Sequence, residues 1–279
     1  MTLPSEAAGE GPFAKAGPET GRKPAPVSVL AISALTVVVL LGMWAAASTL
    51  ALLPALFLPS PLVVASSIGD LVTTGFVDAT LLEHTVASLY RIFGALIAAM
   101  AIGIPAGLVI GMSRVGKGIL DPIVEFLRPL PPLAYLPLVI IWAGIGEASK
   151  IVVIALAMLP PIILSTASGV KSVSSDHVNA ARSFGATPRQ LLLHVILPSA
   201  APAILTGVRI ALGAGWSTLV AAELVAATRG LGFMIQSAAQ FLVTDIVIAG
   251  IIVIAVIAFV LEAAARLVER WLVPWASHG

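Results

Sequence analysis

Long apolar runs separated by short charged stretches organise this chain. A helix needs roughly 20 apolar residues to cross the hydrocarbon of a bilayer. Val27 to about Leu53 carries no charge and predicts the first crossing. Ile92–Met112 predicts the second, with Gly103, Gly107 and Gly111 at i, i+4 and i+8 on one face, a repeat that permits close helix packing. Pro105 predicts a kink within it. The third segment, about Ile123–Ile145, contains Pro129, Pro131, Pro132 and Pro137 and so cannot be one regular helix. Broken backbone at membrane depth must be buried in protein or line a cavity, which places this segment inside the bundle, away from lipid. Ile151–Ser168, kinked at Pro160 and Pro161, predicts the fourth span, about Pro202–Leu224 the fifth, and Ile246–Leu267 the sixth.

Composition agrees with the pattern. Of 279 residues, 59% are hydrophobic and 10% charged, against about 25% charged in soluble domains, and the mean hydropathy is +1.07. The expected fold class is an all-α membrane protein of six transmembrane helices. A formal net charge of +1 without a basic cluster gives no sign of a nucleic-acid partner. With no cysteine, disulfide frameworks and thiolate chemistry are excluded, and four scattered histidines argue against a histidine metal centre. Met1–Pro26, rich in Gly, Pro, Glu and Lys, reads as a disordered tail. The first apolar run is about twice too long for a signal-peptide core, so the membrane domain is taken as residues 27–273.

Six spans put both termini on one side, and basic residues mark the cytoplasmic side. Lys15, Arg22, Lys23, Arg114, Lys117, Lys171, Arg182, Arg189, Arg266 and Arg270 share the terminal side; Lys150 and Arg229 face the other. Both termini are therefore expected in the cytoplasm.

The longest loop on that side, Gly169–Ala201, contains Asn179-Ala180-Ala181, then Gly185, then Ile196-Leu197-Pro198. Asp176 is suited to cap a short helix, Gly185 to end it, and Thr187-Pro188 to start another. Leu191, Leu192, Val195 and Ile196 give that second piece an apolar face. The prediction is a compact two-helix knob, fit to seat in a partner's groove by the helix-in-groove mode.

This spacing resembles the EAA loop of binding-protein-dependent ABC transporter permeases, with Asn179 where that family usually has Glu. Leu58-Pro59-Ser60-Pro61, Ser88-Leu89-Tyr90-Arg91, Arg128–Ala134 and Trp142–Lys150 look like the nitrate, sulfonate and taurine branch. Gly215–Leu224 together with Ala227–Met234 is most similar to its taurine permeases. The resemblance implies a type I ABC importer permease fold with a cytoplasmic coupling-helix loop at about 176–198. The coupling residues would be Asn179, Ala180, Ala181, Gly185, Ile196, Leu197 and Pro198. It implies a non-catalytic subunit in the bacterial inner membrane that binds no cofactor, with ATP and magnesium held by two copies of a partner ATPase. The other partners would be a second permease copy and a periplasmic or lipoprotein substrate-binding protein. The substrate would be taurine or a related sulfonate; aliphatic sulfonates, nitrate or a pyrimidine precursor are the alternatives. The chain has no G-x-x-x-x-G-K-[ST] phosphate loop of its own. An intramembrane enzyme lacks its usual motifs here, and a secondary transporter or channel would leave the knob without a purpose.

Ionisable residues inside spans are costly and draw attention as functional candidates. Arg91 and Glu223 both fall toward the outer half, positioned to meet the sulfonate and ammonium of a taurine-like solute. The structural alternative is that they pair within the bundle, or that Arg91 reaches the interface. Trp216, Ser217 and Thr218 are further candidates for the translocation path, against the alternative that their polar atoms bond nearby backbone. Glu125 and Arg128, three apart, are read as an ion pair. Arg209 is read as snorkelling, and Trp271 and Trp275 as part of an aromatic belt.

Overall fold

The computed structural model describes residues 29–275, all helix and loop with no strand. The expected tail, 1–26, and the first two residues of the first predicted span lie outside the described residues. The described residues divide at Met43 into two units, 29–43 and 44–275. Of the first, the described part is the amino-terminal portion of helix α1 (Val29–Thr49), whose side chains are exposed apolar residues.

The second unit holds the bundle: α2 (Pro61–Thr73), α3 (Leu81–Met112), α4 (Arg114–Leu127), α5 (Pro132–Ala143), α6 (Glu147–Lys171), α7 (Ser175–Ser183), α8 (Pro188–Leu191), α9 (Leu197–Ala226), α10 (Leu231–Gln240) and α11 (Thr244–Leu272). Five helices, α1, α3, α6, α8–α9 taken together, and α11, are long and apolar enough to cross a membrane; α4 and α5, bent by 104° at their junction, make a sixth as one broken span. Six crossings match the sequence expectation.

Close backbone approach builds the core around α6. Gly103, Gly107 and Gly111 of α3 face Ile162, Thr166 and Val170 of α6 in ascending order, so the two helices run parallel. A β-carbon on Gly107 would stand 2.5 Å from Thr166 Cβ and 2.7 Å from the Ile163 carbonyl oxygen, closer than real atoms come. On its other side α6 meets α9 in antiparallel order, Gly169 against Ala200 and Ala203, Gly215 against Met158. The glycine stripe therefore serves packing, as its spacing predicts. These directions put the 172–196 connection at one end of the bundle and the starts of α3, α6 and α10 at the other. Helix α3 begins eleven residues before the predicted span, at a Thr80 capping box with Glu83. The hydropathy signal stopped at Arg91, yet that side chain is neutralised inside the bundle, so nothing interrupts the helix.

The proline-rich segment departs from expectation in one respect. It is broken as predicted, but Arg128, Pro129, Leu130 and Pro131 are exposed on this single chain and not covered by its own helices.

Candidate functional site

Two arrangements stand out, one at each end of the bundle. At the loop end, Ser174, not Asp176, caps α7, its hydroxyl accepting from the Asp176 N–H at 3.2 Å. Gly185 ends the helix with φ +79°, and the Ala186 N–H to Ala181 carbonyl (3.1 Å) and Gly185 N–H to Arg182 carbonyl (2.9 Å) bonds make a Schellman turn. Thr187 then caps α8 in a reciprocal box with Gln190, Pro188 taking the first helical position. A π turn, Leu192–Ile196, joins α8 to α9, and Leu197 and Pro198 open α9.

The knob is anchored on one side only. Leu191 and Ile196 are buried with Val170 of α6 and Ala200 and Ile204 of α9, with Val178 and Ala181 packed at the margin. Helix α7 has no buried residue. Asn179 and Ala180 face outward, and Phe184 at the turn is 92% exposed. An exposed phenylalanine on a rigid glycine turn is the kind of aromatic knob a partner's groove would seat.

At the opposite end, Arg91 and Glu223 meet. Arg91 is 2% exposed and Glu223 fully buried. The Arg91 guanidinium donates from Nε and Nη2 to both oxygens of Glu147 (2.5 and 2.8 Å), and from Nη1 to Glu223 Oε1 (2.6 Å) and the Arg229 carbonyl (2.7 Å). Lys150, also buried, donates to Glu147 Oε1 at 2.9 Å. Two cations thus face two carboxylates, a neutral quartet that removes most of the cost of burying each charge alone. Glu223 is saturated further by the Ser88 hydroxyl (2.7 Å) and the Gly232 N–H (2.8 Å).

The strap between α9 and α10 closes this cluster. Leu231 N–H donates to Ser88 Oγ, and Gly230 N–H donates to His84 Nδ1 at 3.1 Å. His84 must then carry its proton on Nε2, which reaches the Phe76 carbonyl at 3.1 Å. Gly230 has φ +132°, and a β-carbon there would lie 2.5 Å from the Glu223 carboxyl carbon and 2.6 Å from Arg91 Nη1. No other residue fits. Glu147 keeps a half-exposed side chain at the rim of an open cleft of about 540 Å³ lined also by Glu83, Tyr90 and Arg229.

The structure therefore joins Arg91 to Glu223 and leaves the other path candidates apart from them. Trp216 is buried and lines a cleft of about 290 Å³ with Gly213, Leu261 and Glu262; its indole N–H has no partner. Thr218 bonds the Ala214 carbonyl at 2.9 Å, and Ser217, exposed, the Gly213 carbonyl at 3.3 Å. Arg209 is paired with Glu269 (3.0 Å) and Glu262 (3.6 Å). Glu125 and Arg128 form no ion pair, contrary to the i,i+3 reading; both are exposed. Sequence reasoning missed Glu147, Lys150, Ser88 and His84 as partners of the cluster. The available signal was the need of a span arginine for a bidentate carboxylate. Among the described residues no three His, Asp or Glu side chains gather as a metal site.

Comparison with known proteins fits this architecture. Residues 99–274 match the model of the family described as binding-protein-dependent transport system inner membrane component. The chain is 56% identical over 245 residues to the taurine transport system permease protein TauC of Escherichia coli K12, covering 88% of each chain. It is 37% identical to the putative aliphatic sulfonates transport permease protein SsuC of the same organism, covering 85% of this chain and 88% of that one. In structure it is similar to a chain of the inward-facing MetNI methionine ABC transporter, with TM-score 0.57 and 21% identity over 69% of this chain and 95% of that one; this likeness concerns the fold. By its sequence across most of its length, by its six apolar crossings and by the knob that interrupts them, the chain belongs to the binding-protein-dependent transport system inner membrane component family.

Proposed function

We propose that this chain is the membrane subunit of an ATP-driven importer and that it passes taurine. The observation that carries the transporter reading is the knob of α7, Gly185 and α8, which presents Asn179, Ala180 and Phe184 outward while Leu191 and Ile196 fix it to α6 and α9. A push on that surface is delivered straight to the two helices at the centre of the bundle. Two ATPase copies, which hold ATP and magnesium, engage the knobs of two permease copies from the cytoplasm, and an external binding protein delivers the solute. Both termini then lie in the cytoplasm, a placement that the distribution of basic residues supports. The choice of taurine rests on the 56% identity to TauC; the 37% identity to SsuC makes other aliphatic sulfonates the second reading.

In this reading Arg91 and Glu223 hold the outer end of the bundle together. Four of the five guanidinium N–H donors are occupied by Glu147, Glu223 and the Arg229 carbonyl, which supports a brace and leaves a solute little to bind.

The test is co-purification together with uptake. A tagged chain expressed with its neighbouring ATPase and binding protein should retain the ATPase and take up labelled taurine, with alkanesulfonates competing weakly. Gly185→Trp, whose β-carbon meets nothing within 4 Å in the isolated chain although φ +79° strains any L side chain there, should lose the ATPase. Retention of the ATPase by that variant overturns the docking role, and uptake competed equally by alkanesulfonates overturns the taurine assignment.

A further inference from the structure

Helix α3, 32 residues long, exceeds what a bilayer needs. Its uncharged part, Ile92–Met112, spans about 31 Å at 1.5 Å per residue and fills a hydrocarbon layer of about 30 Å. Arg91 therefore marks the hydrocarbon boundary, and Leu81–Tyr90 stands in the headgroup layer and beyond. Glu147, at the start of α6, and the Arg229 carbonyl are both hydrogen-bonded to Arg91 and share its depth. One face of α3 crosses this boundary without a charge. Leu82, Val86, Tyr90, Phe93 and Ile97 are 43–70% exposed and fall within about 80° of arc at 100° per residue. An apolar stripe that continues above the hydrocarbon needs a cover that water does not give.

The cleft of about 540 Å³ includes Leu82, Val86 and Tyr90 of this stripe and lies at the same height. Its charged groups are of both signs and only partly used. Glu147 Oε2 accepts from Arg91 Nε alone, and the side chain is 48% exposed. Glu83 turns Oε2 to its own helix cap, while its Oε1 has only the Arg229 guanidinium, 4.0 Å away. That guanidinium is 57% exposed and makes no hydrogen bond among the described residues. An anion alone would be repelled by the carboxylates, and a cation alone by the guanidinium. A group carrying an ammonium and an anion on a short link satisfies both signs, and the stripe beside it suits a hydrocarbon tail on the same molecule.

We propose that this cleft holds the headgroup of a zwitterionic phospholipid with a primary ammonium. Its phosphate meets Arg229, its ammonium meets Glu147 and Glu83, and an acyl chain lies along Val86, Tyr90, Phe93 and Ile97. The primary amine matters because carboxylate oxygens accept N–H bonds, which a trimethylammonium cannot supply. Tyr90, at the boundary, is the residue type that sits at headgroup level. A lipid seated there covers the open rim of the Arg91–Glu147 pair. In the orientation proposed above it belongs to the outer leaflet; the binding itself does not depend on the transporter reading.

The purified full chain in detergent, stripped of lipid, is titrated with phosphatidylethanolamine, phosphatidylcholine and phosphatidylglycerol, and bound lipid is counted by native mass spectrometry. Phosphatidylethanolamine should bind at least about tenfold tighter than either of the others, the worth of one charge-assisted hydrogen bond. Arg229→Gln and Glu83→Gln should each remove most of that preference and leave the lipid-free thermal midpoint within about 2 °C, since Gln still closes the capping box. Equal affinity for the three lipids overturns the proposal, as does an undiminished preference in both variants. Phosphoethanolamine or taurine that displaces the lipid at the lipid's own concentration would make the cleft a solute site and overturn it too. The chain has no cysteine, so a single one reports without background. In proteoliposomes holding the whole transporter, Val86→Cys carrying a photoactivatable maleimide should capture lipid. Capture of a second copy or of the external binding protein in its place overturns the proposal. Failure of the chain to co-purify an ATPase would sink the transporter reading and leave the lipid preference as it stands.

Discussion

Replacing Glu223 with leucine takes one carboxylate from a buried quartet of two cations and two anions. Arg91 keeps its bidentate grip on Glu147, but the cluster is left with a net positive charge, and the Ser88 hydroxyl and Gly232 N–H lose their acceptor. Leaving one buried charge uncompensated costs about 3–5 kcal/mol. Arg91→Leu should cost a similar amount by stranding Glu223. The double variant removes both charges and leaves the Lys150–Glu147 pair, 2.9 Å apart, neutral on its own. Its loss should fall short of the sum of the singles by about 0.5–3 kcal/mol, the range of coupling seen for residues in one network. The assay is the thermal midpoint of the purified chain in detergent, followed by the fraction that stays monodisperse after heating. On the scale for chains of this size each kcal/mol moves the midpoint by about 2–4 °C. Singles that melt like the unmodified chain, or losses that simply add, would refute the brace. If these two residues instead contacted solute, uptake would fall while the midpoint stayed put.

Three further outcomes follow from packing and capping. Gly107→Val should separate α3 from α6 and cost at least about 1–3 kcal/mol in overpacking, seen as a lowered midpoint and less protein in the membrane; a variant of unchanged midpoint would remove the close-approach argument. Thr187→Ala removes the hydroxyl cap on the Gln190 N–H while the backbone N–H of residue 187 keeps its Gln190 acceptor, and should cost about 1 kcal/mol, localised by faster hydrogen exchange at Arg189–Leu191 and not elsewhere. Asn179→Glu, on an outward face with no buried neighbour, should leave stability within about 0.5 kcal/mol, while the strength of ATPase retention reports directly on the charge the family usually places there.

Much of this protein is legible in its residues alone. Apolar runs too long for any soluble core dictate crossings, because lipid has no partner for an open backbone. Their number, the glycine stripe on α3, the break at Pro129–Pro132 and the Gly185 and Thr187 turns all follow from local chemistry that needs no knowledge of neighbours. The charged clusters do not. Arg91, Glu147 and Glu223 lie 56 and 132 residues from one another in the pairings that matter. A sequence shows that each is expensive in a membrane but not which of them cancel, so hydropathy alone starts α3 eleven residues late and i,i+3 spacing alone pairs Glu125 with Arg128. Capping, periodicity and hydropathy act within a turn or two of helix and are written locally. Charge compensation acts through space, and only the packed bundle decided that Arg91 and Glu223 neutralise each other at one end while the charges of α4 stay exposed along its open side.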